Sequence, residues 1–564
     1  MTTSSIINRG YLAKILENKA FTVATVIGFA VVLTLFVFST GGPLDTDFYW
    51  SDASRHAMDG VFWLDFMTHK GWLHPIQYTY SYYLHYPAIA PIMYPPIFPF
   101  VESIFFGVGG VTPATAKITS AFFLCCLLIA LYALARHWMS HSATLLSMVL
   151  FVSVPDVLYW GRQVMLELPA LFFILTGVHF LIDYLKTGKQ LKMWLAVICA
   201  LLAFYTKQQA LVVLFIYFTG IVTYQGVRKA FAKQHVIAFL IFMAVVIPFL
   251  ILSYKFTRNF SQAAGADPVS RIDDLIGSLL YYPLHLPSQV GMLVLVLSFA
   301  GFVLGIMQFK NSNSKNLIYM TTGWIFSIYI FSTSIRHYEV RYAFFWIPPF
   351  VLLAGYALDR TFSFLKRPIF DVKYHAAFST VIVCALIITV VKMDLSQRVP
   401  FRSGMKTVAQ NVLKHINGPS ILLRIQDEGN LIFRIRQLET GKAPFILRSM
   451  KLFESNYYGL EWGIKEKITN EETIKKIIKE LGVSVIVWQE GFGKNSKVTQ
   501  VIKKILEEGD SFNFLKTIPV YCHNGITANL KIYVSKQPTE ISTNQVYMFI
   551  PSAKFKGQIR LPGI

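Results

Sequence analysis

The chain has 564 residues, 54% of them hydrophobic and only 15% charged. Soluble domains carry roughly 25% charged residues, so this composition excludes an ordinary soluble protein and implies a chain that crosses a membrane many times. The formal net charge of +21 does not call for nucleic acid: much of it lies in short loops between apolar runs, where positive charge retained on the cytoplasmic side accounts for it, and no RNA- or DNA-binding motif accompanies it.

The first apolar run, 20–40, follows a basic flank from Arg9 to Lys19. It is too long for the apolar part of a signal peptide and has no small-residue cleavage site before Asp45, so it predicts a retained first helix with its start in the cytoplasm. A long loop, 41–113, comes next and opens with "GGPLDTDFYWSDASRHAMDG". Asp45, Asp47 and Asp52 stand there among Phe48, Tyr49 and Trp50, with Arg55 and His56 just beyond. Further on, the prolines of "YPAIAPIMYPPIFPF" predict turns at the membrane surface. "PIFPFVESIFFGVGG" is too short to span and predicts an interfacial helix.

Apolar runs then recur at 114–136, 142–161, 168–185, 191–206, 208–226, 235–254, 289–309, 316–334, 342–359 and 374–392, for about eleven spans in all. The fifth and sixth are short and meet at "YTKQQA", which predicts a broken pair or a re-entrant hairpin. Loops such as "KTGKQLK" and "RKAFAKQ" are basic, whereas the alternate loops hold the acids, including Asp59, Asp65, Glu102, Glu167 and Glu339. This asymmetry puts the acidic loops outside, and an odd number of spans leaves the C-terminal region outside too, in a periplasm or a lumen.

The transmembrane part is thus read as 1–393 and a soluble α/β domain as 394–564. In the latter, "PSILLRIQ", "VSVIVWQ" and "LKIYVSK" predict strands, and "GMKTVAQNVLKHI" and "NEETIKKIIKELG" amphipathic helices. Thr469 and Glu472 have capping-box spacing at the start of the second helix. Four of the five cysteines lie in apolar runs, and no Cys/His spacing typical of a metal site occurs.

Candidate chemistry gathers at the outer ends of the spans. One interfacial aspartate is usually a solvating group or a helix cap; three interleaved with aromatics fit that less well, and a carboxylate at this face suits a general base. Trp50 and its neighbours are equally the aromatic belt of a membrane interface. Arg162 and Glu167, in "YWGRQVMLELPALFF", are ionisable groups at an apolar boundary, where function is the default and mutual pairing the alternative. Lys207 in "YTKQQA" suits a lipid phosphate as a point charge, or else snorkels. Arg336, His337, Arg341 and Tyr342 cluster in "IRHYEVRYAFFWIPPF", where positive charge on the outer side runs against the topology rule and guanidinium forks suit a phosphate.

Taken in order, the acidic loop with Tyr49, "YPPIFPF", "GRQVMLELP", "YTK", "VRYAFFWIPP" and the α/β domain resemble a glycosyltransferase of the GT-C fold. The resemblance is nearest to the protein O-mannosyltransferases and lipid A aminoarabinose transferases. It implies a polyprenyl-phosphate-linked sugar as donor, a lipid, glycan or protein as acceptor, and transfer on the outer face of a membrane, most simply a bacterial inner membrane. The first-loop acid of the family falls on Asp45 or Asp47, with Asp52 the outside candidate. Glu167 takes the place of the second-loop acid, and Lys207 and Arg341 fall near positions that meet the lipid phosphate. Tyr94 stands where the aminoarabinose transferases have a lysine before Pro-Pro. A divalent metal bridging carboxylate and phosphate is compatible with this chemistry, although no ligand set demands one. The rival expectation is a transporter or flippase of a lipid-linked glycan, which calls for ionisable groups and broken helices at the bilayer midplane.

Overall fold

A computed structural model of the chain describes residues 19–91, 93–263, 271–335, 338–365, 372–397, 401–456, 464–466, 468–522, 527–542, 545–547 and 558–560. It divides into two compact units. The first comprises 1–42, 120–246 and 269–399, and the second 43–119, 247–268 and 400–564.

The first unit is helical. Each apolar run read from the sequence coincides with helix, including Gln190–Phe204, Ser312–Thr333 and Val372–Ser396. Among the described residues, six helices are long and apolar enough to cross a membrane, or eight if two bent pairs each count as one span. Of the expected spans, Gln190–Phe204 is shorter than that among the described residues. One bent pair, His141–Val152 with Pro155–Gly161, turns by 65°, and Pro155 opens the second piece, where its missing N–H costs nothing. The break expected at "YTKQQA" is present: Gln190–Phe204 ends, Lys207 is extended, and a 3-10 turn, Gln208–Val212, leads into Val213–Gln225.

The helical stretch Val340–Leu365 is the centre of this unit, with 89% of its most apolar window buried, against 22% for Lys233–Lys255. Glycine lets its neighbours come close. A Cβ on Gly301 of Met292–Met307 would lie 1.9 Å from the Leu353 carbonyl oxygen. Lipid gives apolar helices little drive to associate, so close backbone approach through small residues supplies the packing.

The second unit combines the 41–113 loop with the C-terminal region. A six-stranded sheet runs in the order Arg402–Ser403, Phe512–Cys522, Thr527–Ser535, Val483–Gln489, Ser420–Arg424, Phe445–Arg448. The last three strands are parallel, and Ser420–Arg424 is buried at every position, as a strand covered on both faces must be. The three expected strands and both expected helices are present. One detail differs: the helix Glu471–Glu480 is capped by Asn470, whose side chain accepts from the Thr473 amide, so the cap lies one residue beyond Thr469.

The loop itself folds into three helices, Ser51–Thr68, Pro75–His85 and Ile97–Gly109. Ile97–Gly109 is the short apolar piece expected at the interface. It meets Ser51–Thr68 closely at Gly60, where a Cβ would lie 2.4 Å from Glu102 Oε2. The compact grouping sets 43–119 with 400–564.

Candidate active site

Asp45 lies in a turn and Asp47 in a short β-bridge, just before the helix Ser51–Thr68. The Asp47 backbone pairs with Arg402, its amide donating to the Arg402 carbonyl at 2.8 Å. Its carboxylate is filled: Oδ1 accepts from Arg434 Nε at 2.7 Å and Oδ2 from the Met405 amide at 3.0 Å. Asp47 is only 2% exposed. Burial pushes its carboxyl above the usual range, against the pull of Arg434. Arg434 also reaches Asp45, donating to Oδ1 at 3.0 Å and to the backbone oxygen at 2.8 Å. Lys406 holds the other Asp45 oxygen at 3.1 Å. Slight burial opposes ionisation of Asp45, but the Arg434 and Lys406 hydrogen bonds outweigh it and hold the carboxyl below its usual range. Asn430 completes the clamp, since its side-chain amide both accepts from the Phe48 N–H at 2.8 Å and donates to the Phe48 carbonyl at 2.7 Å. The stretch "DTDF" is therefore stitched to the helix Glu428–Leu438, from which Arg434 and Asn430 project.

Asp52 has different surroundings. It sits in the first turn of Ser51–Thr68, where free backbone amides favour a negative charge. Tyr94 donates its hydroxyl to Asp52 Oδ1 at 3.2 Å, and Arg55 Nη1 approaches the same oxygen at 3.5 Å. Arg55 also reaches the Tyr94 oxygen at 3.4 Å. The side chains of Asp52 and Arg55 keep 21% and 23% of their surface exposed. The His56 ring packs edge-on against Tyr94, with centroids 4.5 Å apart. Carboxylate, guanidinium and phenol thus meet within 3.2–3.5 Å of one another. Tyr49, the aromatic nearest the aspartates in sequence after Phe48, lies under the Arg402 guanidinium at 5.6 Å.

In the first unit, Glu167 opens the helix Glu167–Thr187, and its Oε1 pairs with Lys207 Nζ at 2.6 Å. Glu167 Oε2 is buried without a hydrogen-bond partner among the described residues. Arg341 pairs with Glu339 and stacks over Trp160 at 5.7 Å and over Tyr342 at 5.9 Å. Its charge also acts on both Glu167 and Lys207. Glu167, Lys207, Arg341 and Tyr342 are therefore neighbours, although they come from three separate stretches of sequence. Arg162 is engaged elsewhere and does not pair with Glu167. It donates to the Val37 carbonyl at 2.7 Å, the Gln397 carbonyl at 2.8 Å and Thr40 Oγ1 at 2.6 Å, and it pairs with buried Asp394. With those bonds it ties the ends of Lys19–Ser39 and Val372–Ser396 to its own turn. Arg336 and His337 lie outside the described residues.

Sequence reasoning passed over Arg434, Arg402 and Asn430, and it noted Tyr94 and Arg55 without assigning them. It named Asp59 and Glu102 only as outer-loop acids, whereas both are buried on the loop's own helices, Ser51–Thr68 and Ile97–Gly109. Asp59 Oδ1 accepts from the Ala90 amide at 2.7 Å, while Glu102 has no hydrogen-bond partner among the described residues. Burial pushes Asp59 up to about 7 and holds Glu102 well above the usual carboxyl range, with the nearby Asp59 charge adding to it. The first-loop acids do not converge into a metal-ligand set among the described residues.

Residues 93–252 match the family described as dolichyl-phosphate-mannose-protein mannosyltransferase. Among solved structures, the chain is similar to the oligosaccharyltransferase AglB from Archaeoglobus fulgidus in complex with an inhibitory peptide and a dolichol-phosphate. Identity is 12% and the TM-score 0.54, over 91% of this chain and 74% of that one. It is also similar to ArnT from Cupriavidus metallidurans in the apo state, with 13% identity and a TM-score of 0.55, over 90% of this chain and 98% of that one. For ArnT bound to undecaprenyl phosphate the values are 12% and 0.53, over 90% and 98%. No curated protein sequence matches the chain. The chain is a multi-pass membrane protein with the GT-C fold of membrane glycosyltransferases.

Proposed function

We propose that the chain transfers a sugar from a polyprenyl-phosphate carrier to a lipid, glycan or protein acceptor on the outer face of its membrane, with Asp52 as the general base. The observation that carries this choice is the Asp52–Arg55–Tyr94 grouping, which sets a phenol and a guanidinium against a carboxylate whose side chain keeps 21% of its surface exposed. Asp47 has both oxygens occupied and is sealed from solvent, so it serves as the post that anchors the loop. Asp45 is accessible, but its two cations make it a weaker base.

The acceptor O–H or N–H gives its proton to Asp52 and attacks the sugar C1 from the face opposite the phosphate. The C1–O bond breaks, its electron pair leaves with the lipid phosphate, and the anomeric configuration inverts. The leaving phosphate needs no proton, so positive charge at the developing anion is the main requirement on that side. Within the first unit, the resemblance assigns Lys207 and Arg341 to a lipid phosphate, with Glu167 as the positioning residue that fixes the Lys207 ammonium. The family match at 93–252 and the lipid-phosphate complexes of AglB and ArnT support the donor class.

General-base catalysis contributes typically about 10²–10⁴ in rate. Purified full-length protein incubated with a panel of synthetic undecaprenyl-phosphate hexoses and pentoses is assayed for release of undecaprenyl phosphate in the presence of membrane extract as acceptor. Asp52→Asn is expected to lower the rate by a factor in that range while leaving folding unchanged. Full activity in Asp52→Asn, together with loss of activity in a folded Asp47→Asn or Asp45→Asn, would move the base to one of those residues.

A further inference from the structure

We propose a divalent-cation site of the zinc type, formed by His137, His179 and Asp183. It lies in the first unit, at the opposite end of the helix Glu167–Thr187 from Glu167: His179 and Asp183 are twelve and sixteen residues along, about 18–24 Å at the α-helical rise. They stand four residues apart on that helix and so share one face. His137 comes from the turn between the helices Pro113–Ala135 and His141–Val152 and reaches across to them. His137 Nε2 lies 3.1 Å from His179 Nδ1 and 3.8 Å from Asp183 Oδ1, and His179 Nε2 is 3.7 Å from Asp183 Oδ2. One ligand atom from each residue falls within 4.8 Å of the others, and this is the one such grouping among the described residues.

Taking one atom from each residue, His137 Nε2 stands 3.1 Å from His179 Nδ1 and 3.8 Å from Asp183 Oδ1, near the edge of a tetrahedral zinc shell, about 3.3 Å for bonds of about 2.0–2.1 Å. Two imidazoles and a carboxylate are also the ligand types that borderline divalent metals prefer. All three residues are half-buried, so part of each is open to its surroundings. Two lysines border it: Lys186 Nζ lies 3.2 Å from His137 Nδ1, and Lys192 Nζ 3.2 Å from Asp183 Oδ2. Both ride on flexible stems, and Lys192 withdraws from the carboxylate when the metal takes that oxygen. Neither lysine touches the two facing imidazole nitrogens. The metal would fasten the turn at 136–140 to a neighbouring span, far from Glu167 and Lys207.

The test uses the full-length protein in detergent, freed of any histidine tag, stripped with chelator and desalted. Zn²⁺ retained after a second desalting is counted by mass spectrometry, and Co²⁺ is added separately as a spectroscopic probe. One Zn²⁺ per chain and an intense visible band from tetrahedral Co²⁺ are expected. His137→Gln and His179→Gln should each weaken Zn²⁺ binding at least tenfold and abolish the band, with the gel-filtration profile unchanged. Asp183→Asn preserves the shape of the side chain and should also weaken binding, which covers the case of a histidine variant that does not fold. Absence of stoichiometric Zn²⁺ in the parent protein, or equal retention by all folded variants, would overturn the site.

Discussion

Removing the Arg434 side chain tests the clamp on the first loop. In the folded protein this guanidinium donates to Asp47, to Asp45 twice and to Gln437, and is itself only 2% exposed. Arg434→Ala leaves the Asp47 carboxylate buried with the Met405 amide as its remaining hydrogen-bond partner in this structure. Deleting one partner of a buried ion pair typically costs about 3–5 kcal/mol, because the other charge stays desolvated. At roughly 2–4 °C per kcal/mol for a domain of this size, the unfolding midpoint of the second unit should fall by roughly 6–20 °C. Replacing the acid as well, in Asp47→Asn/Arg434→Ala, removes the stranded charge and should recover part of the loss, so the two substitutions will be strongly non-additive. Thermal unfolding in detergent, followed by proteolysis of the region after residue 400, reads both effects. A midpoint for Arg434→Ala within ~2 °C of the parent would refute the reasoning.

Asp59 makes stability depend on pH. Burial raises its carboxyl to about 7 in the folded state, against about 3.9 in an unfolded chain. Between those values the folded state holds the extra proton, so stability is greatest at the acid end and falls as pH rises through 7. Asp59→Asn should flatten the melting temperature between pH 5.5 and 8, and an unchanged slope would contradict the assignment. Arg162→Ala should lower the melting temperature of the first unit, and Arg162→Lys should not restore it, because a single ammonium cannot reach the acceptors that the planar fork joins. A lysine variant with parental stability would show that one charge suffices.

The membrane class and the helical runs were legible because repeated apolar stretches of about 20 residues match the thickness of a bilayer and exceed what most soluble cores can bury. Glu167, Lys207 and Arg341 were legible for a related reason: ionisable groups are rare at such positions, so each one stood out. The clamp was not legible. Arg434 lies 387 residues from Asp47, and a surface-like "RIRQ" in an amphipathic helix looks the same whether its arginines meet water or a buried acid. The strand Phe512–Cys522 was missed because most of its residues are not buried, which leaves no apolar run to read. Phe445–Arg448 was too short to announce itself. His137 and His179 are 42 residues apart, outside any local metal-ligand spacing. Asp52, the outlying candidate on sequence grounds, meets Tyr94 from 42 residues away, a contact that no local spacing announces.

The most direct test of the central claim is mass spectrometry of polyprenyl-phosphate-linked sugars and surface glycans in cells with and without the gene. If the chain transfers sugar from a lipid phosphate, its loss should leave one lipid-linked sugar accumulated and remove one sugar from a surface glycan, lipid or protein. Restoring the gene as Asp52→Asn should not reverse either change. Identical lipid-linked sugars and surface glycans in the two strains would contradict the account.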